Sequence, residues 1–368
     1  MKFGGALFML LIVAGIGYVC WHIYRVIPLG GVWKTAAVVA FLLWFVSCFL
    51  YIFVGLDRLP MSIAIPLYRV ASSWAFVLLY LFIIFAVLDV CSLCHIIPKG
   101  ALKDSVALSI GIPLALAAVF SLSRLHYEKK TRVMESISTQ KPLSKPLRIV
   151  LLSDLHFGYN IREREALSWV RKINAEHPDL VLVGGDIIDG SVRPLYEWGA
   201  AEILRSIEAP VYACLGNHEY ITGIDKSVKF YSDAGVHLLR DDSAIPIEGL
   251  RVIGRDDRTN RSRASLADIV SQGPDSLFTI LLDHEPYNLE QAQECGVDFQ
   301  FSGHTHYGQV WPISWIERLM YEQAFGPLTK GNTRYYVSSG MGIWGPRWRV
   351  GTRSEYLVLE ITPSGNRP

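Results

Sequence analysis

The sequence predicts an α/β domain preceded by an all-α membrane domain of four transmembrane helices. Three observations carry this. Four stretches without a charged residue, Phe3–Trp21, Thr35–Leu56, Ala71–Leu88 and Ser105–Ser123, fall in the first third of the chain. From Leu147 onward, short runs rich in Val, Ile and Leu alternate with segments of helical spacing. Five small polar clusters each close one of those apolar runs.

Each uncharged stretch is about the length that crosses a hydrocarbon core of ~30 Å. One alone could be a buried core helix, but four in series, separated by short polar loops, read as spans. The first lacks a small-residue cleavage site followed by a polar start, so it reads as an anchor rather than a signal peptide. The high apolar content, 51% of the chain, therefore belongs mostly to residues before 124. Basic residues gather after the fourth stretch at Arg124, Lys129, Lys130 and Arg132. The second loop carries Arg58 and Arg69, and the other two carry Arg25 and Lys34, then Lys99 and Lys103. That bias places both termini, and the domain that follows, on the cytoplasmic side. Asp89, at the edge of the third stretch, reads as interfacial. A net charge of +1 and a pI of about 7.7 exclude the basic face of a nucleic-acid binder, so no nucleic acid is expected as a partner. Cys214 and Cys295 are the only cysteines after residue 124, and no disulfide framework is apparent.

The expected division is a membrane domain over 1–123, a linker over 124–146 and a folded domain over 147–364. The linker reading rests on mixed charges, Ser and two Lys-Pro pairs. Expected strands are Arg148–Ser153, Asp179–Val183, Pro210–Leu215, Arg251–Gly254, Phe278–Leu282, Phe299–Phe301, Tyr335–Val337 and Glu355–Ile361. Helical spacing marks Arg164–Glu176, Pro194–Ile207 and Asp225–Ala234. Continuous apolar strands are covered on both faces, and their alternation with helices implies an α/β sheet.

The polar clusters are Asp154-Leu-His156, Gly185-Asp186, Gly216-Asn217-His218-Glu219, His284 and Gly303-His304-Thr-His306. Carboxylates, imidazoles and an amide suit divalent metals such as Mn²⁺, Fe²⁺ and Zn²⁺. The i, i+2 spacing of Asp154 with His156, and of His304 with His306, puts each pair on one side of an extended segment. The glycines before Asp186, Asn217 and His304 are expected to allow backbone turns that other residues resist. Two neighbouring cations lower the pKa of a shared water, so that a bridging hydroxide attacks phosphorus in line while charge on the phosphoryl oxygens is neutralised. His218, directly after Asn217, is placed to stabilise the transition state or protonate the leaving oxygen.

In this order the clusters resemble the calcineurin-like metallophosphoesterase superfamily, over residues 147–362. Ser-Asp-Leu-His-Phe-Gly, Gly-Gly-Asp-Ile-Ile-Asp and Ser-Gly-His-Thr-His-Tyr-Gly-Gln-Val resemble its membrane-associated bacterial branch, some of whose wider group cleave the pyrophosphate of a lipid precursor. The resemblance implies a four-layer α/β/β/α sandwich and a bacterial cytoplasmic membrane. It also implies one metal on Asp154, His156, Asp186 and His306, and a second on Asp186, Asn217, His284 and His304. Asp189 and Glu219 would orient these ligands or His218.

The expected function is a membrane-anchored phosphoester or pyrophosphate hydrolase with a lipid-linked substrate, the bilayer being a partner. Alternatives are hydrolysis of soluble nucleotides or small phosphoesters, and a transporter or sensor with a regulatory phosphoesterase-like domain. The aromatic-rich stretch Tyr307–Phe325 reads either as an apolar cap near the metals or as core packing. Arg347 and Arg353 could bind phosphate bidentately or stand as solvated charges.

Overall fold

The computed structural model describes residues 2–50 and 55–364, the side chains of residues 2–9, 50 and 99 excepted. The chain divides into two compact units, Met1–Ser123 and Arg124–Pro368. The first unit is built on helices α1 (Lys2–Val26), α2 (Gly31–Leu50), α3 (Met61–Leu93) and α4 (Val106–Glu128). Three stretches, Gly31–Phe49, Met61–Leu93 and Val106–Glu128, are long and apolar enough to cross a membrane. In α1 the described apolar stretch, Leu10–Val26, is shorter. The expected second span ran to Leu56, and its residues 51–54 lie outside the described ones. Leu43, Leu114 and Leu122 are each more than 60% exposed. Apolar side chains thus point outward where a helix in water would carry charge. Asp89 accepts a hydrogen bond from the Tyr18 hydroxyl at 2.6 Å and lies 3.0 Å from Nε2 of the buried His22.

The second unit holds two six-stranded mixed sheets. The first takes β1 (Lys130–Thr139), β2 (Leu147–Leu152), β3 (Leu180–Val183), β4 (Val211–Ala213), β5 (His237–Leu238) and a late strand. The second takes β6 (Asp242–Ile247), β7 (Leu250–Gly254), β8 (Phe278–Leu282), β9 (Phe299–Ser302), β10 (Gly326–Lys330) and β11 (Thr333–Val337). The late strand of the first sheet is β12 (Ser354–Pro363). The orders are β1-β12-β2-β3-β4-β5 and β10-β11-β9-β8-β7-β6. β2, β3 and β4 run parallel, as do β7, β8, β9 and β11. Their connections carry α5 (Glu163–Asn174), α6 (Arg193–Glu197), α7 (Ala200–Arg205), α8 (Asn217–Thr222), α9 (Ile224–Asp233), α10 (Leu266–Ser271), α11 (Glu290–Glu294) and α12 (Ile313–Met320).

The two-residue period of a strand explains how the apolar runs are used. Ile149, Leu151, Leu180 and Leu182 of the first sheet share a core with Val252, Ile280, Leu282 and Phe301 of the second. The alternate residues Val150, Leu152, Val181 and Val183 pack with Trp169, Val170 and Leu204 of α5 and α7. Ile253 and Leu281 of the second sheet likewise pack with Leu266 and Ile269 of α10.

Two expectations need correcting here. The 124–146 stretch is not only linker, because β1 occupies ten of its residues and pairs in parallel with β12. It is an edge strand whose even-numbered residues from Arg132 onward are exposed, which is where Arg132 and both serines sit. Only Val133 and Ile137 turn towards the core, too few apolar residues to mark a strand. The helix expected over Pro194–Ile207 is two helices, broken at Gly199, whose φ of 73° is left-handed.

Candidate metal centre

Both sheets supply the site. β2, β3 and β4 end just before Asp154 and His156, Asp186, and Asn217, while β8 and β9 end just before His284 and before His304 and His306. Asp154, His156, Asp186, His304 and His306 adopt left-handed backbone conformations, with φ between 47° and 71°. Such a conformation costs a non-glycine residue about 1–2 kcal/mol. It is fixed by backbone bonds between neighbouring loops: Asp154 N–H donates to Gly185 O at 3.1 Å, and His156 N–H to Asp186 O at 3.0 Å.

The expected role of the glycines is therefore only partly right. Gly185 has a φ of 87°, but Gly216 and Gly303 do not have left-handed backbones. They are needed for close approach. A Cβ on Gly216 would strike the Asp186 carboxylate, and one on Gly303 would strike that of Asp154 and, at 2.7 Å, the Ser153 Cβ. Gly303→Ala is expected to weaken metal binding by about 10- to 100-fold through displacement of Asp154. Metal titration of the purified protein reads this, and an unchanged affinity would show that the contact is slack.

The candidate ligands converge. His156 Nε2 lies 3.0 Å from His306 Nε2, 3.7 Å from Asp186 Oδ2 and 3.9 Å from Asp154 Oδ1. His306 Nε2 is 3.6 Å from Asp154 Oδ1. On the other side of Asp186, His284 Nε2 is 3.2 Å from Asp186 Oδ2, and His304 Nδ1 is 3.0 Å from Asn217 Oδ1. Asp186 thus faces both groups. Its other oxygen, Oδ1, accepts the His218 backbone N–H at 2.9 Å.

These residues fit divalent cations. His284 donates Nδ1–H to Gly184 O at 2.7 Å, and its buried Nε2 has no hydrogen bond among the described residues. Burial, with His218 beside it, lowers His156 to about 3, and burial, with His284 beside it, lowers His304 to about 4. Burial and His156 hold His306 well below its usual value. Three imidazoles are therefore neutral, the form that binds metal. Two neutral rings whose Nε2 atoms face each other at 3.0 Å make sense around a cation. Burial raises Asp154, which His284 opposes and Asp186 assists, to about 6. Burial raises Asp186 too, but His284 and His218 overcome this and hold it well below the usual carboxylate range.

His218 is mostly buried. Burial lowers its pKa, but the carboxylates of Asp186 and of Asp189, 3.3 Å away, more than offset this and bring it to about 9. Glu219 accepts three backbone N–H groups, from Gly216 at 2.8 Å and from Asp186 and Ile188 at 3.1 Å each. It thereby ties two of the ligand loops together. Burial and the Asp186 charge raise it to about 7.

The structure places Arg347 and Arg353 in ion pairs. Arg347 donates to Asn160 and pairs with Glu165. Arg353 pairs with Glu355 at 2.7 Å and lies over Phe325. The arginine that matters lies between them. Arg349 is fully buried and donates to the carbonyls of His306 at 2.6 Å, Gly342 at 3.1 Å and Ser339. Nothing in its local sequence separated it from its neighbours. The Tyr307–Phe325 stretch takes a share of both readings: α12 exposes Trp315, Ile316, Leu319 and Met320, with Leu319 88% exposed, whereas Val310, Tyr321 and Ala324 are buried.

The model of the calcineurin-like phosphoesterase family matches residues 147–308. An uncharacterized metallophosphoesterase from Helicobacter pylori is 30% identical over 263 residues, 70% of each chain. A transmembrane protein with metallophosphoesterase domain from Danio rerio is 28% identical, covering 67% of this chain and 60% of that one. Among solved structures, a dimetal phosphatase from Danio rerio superposes with a TM-score of 0.35 at 15% identity, covering 59% of this chain and 99% of that one. At 30% identity over more than two thirds of both chains the kinship is one of family, and the chain belongs to the calcineurin-like metallophosphoesterases, hydrolases of phosphoesters that work with divalent metal ions.

Proposed function

We propose that this protein is a membrane-anchored hydrolase with two divalent ions that cleaves a phosphoester or pyrophosphate bond of a lipid-linked substrate. One ion, Mn²⁺, Fe²⁺ or Zn²⁺, would be held by Asp154, His156, Asp186 and His306, and the other by Asp186, Asn217, His284 and His304. The observation that carries this reading is Asp186, which faces one histidine of each group, His156 at 3.7 Å and His284 at 3.2 Å. When bound, the ions supply a nucleophilic water at neutral pH and neutralise phosphoryl charge. The side chains do the rest. His218, 3.3 Å from Asp189, would donate to the leaving oxygen. Glu219 and the His218 backbone N–H fix the orientation of Asp186.

Two features support a lipid-linked substrate and an anchored enzyme. Apolar helices occupy the first unit, with α1 as the fourth span of the set. The exposed apolar side chains of α12 follow directly on the turn that carries His306. The basic residues after Ser123 favour a cytoplasmic catalytic domain, and the α/β/β/α sandwich of the family accounts for two sheets sharing one core. The test is turnover, by full-length protein in detergent with Mn²⁺, of a diacyl pyrophosphate and its deacylated form. The acylated substrate is expected to have the higher kcat/KM by at least about tenfold. Equal turnover of the two would sink the lipid reading and leave the soluble phosphoesters.

A further inference from the structure

A second cluster of cations lies apart from the candidate ligands. The loop between β7 and α10 contains Arg255, Arg258, Arg261 and Arg263 against two aspartates. With Asn288 and Gln291 these arginines line a cavity of about 520 Å³, and Glu294 is the one acid among its described lining residues. Asp256 is engaged elsewhere, by Arg240 at 2.8 Å, the Tyr220 hydroxyl at 2.7 Å and Asn260 at 2.8 Å. Asp257 caps the backbone N–H of Thr259 at 2.8 Å.

The four arginines are not equivalent. Arg263 and Arg255 both face Asp283, at 3.2 and 3.5 Å, and share its one negative charge. Arg258 reaches Glu285 only at 3.7 Å. Arg261 is exposed and has no hydrogen-bond or ion-pair partner among the described residues. The loop that carries them is stapled. Ser262 N–H donates to Asn260 Oδ1 at 3.0 Å, Arg263 N–H to Asn260 O at 3.2 Å, and Ala264 N–H to Asp241 Oδ2 at 2.8 Å. Arg261, without a partner among the described residues, and Arg258, only loosely paired with Glu285, are thus held on a fixed backbone, which lowers the ordering cost of binding. A chain of side-chain contacts runs from Arg258 towards the metal centre. The Arg258 guanidinium lies 4.4 Å over the Tyr287 ring, the Tyr287 and Tyr321 rings lie 4.8 Å apart, tilted by 38°, and Tyr321 is 6.4 Å from His304.

We propose that this cavity is a second anion site that takes a phosphate group, with Arg258 and Arg261 as its donors. A guanidinium matches a phosphate with two parallel N–H donors, and the stapled loop fixes where these two exposed arginines present theirs, at the mouth of an open cleft. The phosphate is either a second phosphate of the substrate whose scissile bond lies at the metal centre, or free inorganic phosphate. The first source rests on the hydrolase reading above, whereas the binding itself does not.

The decisive measurement is titration of inorganic phosphate into full-length protein stripped of metal by a chelator, read by hydrogen exchange over residues 255–265. Saturable protection is expected, weakened at least about tenfold in Arg258→Gln/Arg261→Gln. Protection that is absent, or indifferent to both arginines, overturns the proposal. Arg261 is exposed, so Arg261→Gln alone decides the matter if the double variant fails to fold. With metal restored, KM identifies the source. A rise of about tenfold for a two-phosphate ester, with KM for bis(p-nitrophenyl) phosphate unchanged, assigns the site to the substrate. Both KM values unchanged, with protection retained, assigns it to free phosphate. If even the unaltered protein turns over neither ester, the hydrolase reading fails and the titration still decides the anion site.

Discussion

Asp186→Ala is expected to strip the centre of bound metal and to lower turnover of bis(p-nitrophenyl) phosphate by about 10³-fold or more. The Asp186 carboxylate lies between the two groups of candidate ligands. Its Oδ2 lies 3.7 Å from His156 Nε2 and 3.2 Å from His284 Nε2. Its Oδ1 also holds the backbone of His218, the candidate proton donor. Removing it thus takes a shared negative charge from between two sets of imidazoles and frees the residue that follows Asn217. Elemental analysis of the purified variant gives the first readout and kinetics the second. Metal retained at the level of the unaltered protein would mean that the ions bind elsewhere, and full activity with metal lost would mean that the reaction does not need them.

The second large effect is expected at a residue that touches no candidate ligand side chain. Arg349→Met should destabilise the second unit by about 3–5 kcal/mol. The guanidinium is fully buried, and burial lowers its pKa to about 10. It satisfies the carbonyls of His306, Ser339 and Gly342, which no methionine can do. Each orphaned buried acceptor costs about 1–3 kcal/mol. Denaturant unfolding of the full chain checks this, and a midpoint within error of the unaltered protein would refute it. Arg349→Lys should recover only part of the loss, because one ammonium cannot span the carbonyls of two loops.

The site was far more legible in the sequence than its supports were. Each candidate ligand is polar, each ends an apolar run, and a run of four or five β-branched or Leu residues can be seen without a structure. The sequence does not say which sheet a run joins. Arg148–Ser153 and Phe278–Leu282 look alike as strings, yet one lies in the first sheet and the other in the second. The distinction is set by long-range pairing, β12 returning beside β2 after two hundred residues. β1 reads as linker in the sequence because an edge strand can be mostly polar. Pro194–Ile207 reads as one helix because Gly199 breaks it without disturbing the apolar spacing. Arg347, Arg349 and Arg353 form a run in which only burial tells structural from exposed charge.

The division of ligands between sheets has a mechanical consequence. If two cations occupy the centre, one takes histidines from both sheets, while the other takes His284 and His304 from the second and Asn217 from the first. The side chains that lock the sheets together, Leu151 and Leu182 against Leu282 and Phe301, then act as a gauge block for the spacing between the ions. Trimming one of them lets the two halves of the domain slip past each other by a fraction of an ångström. An in-line displacement reads such a slip directly, so catalytic rate becomes a sensitive strain gauge for a core that no substrate ever touches.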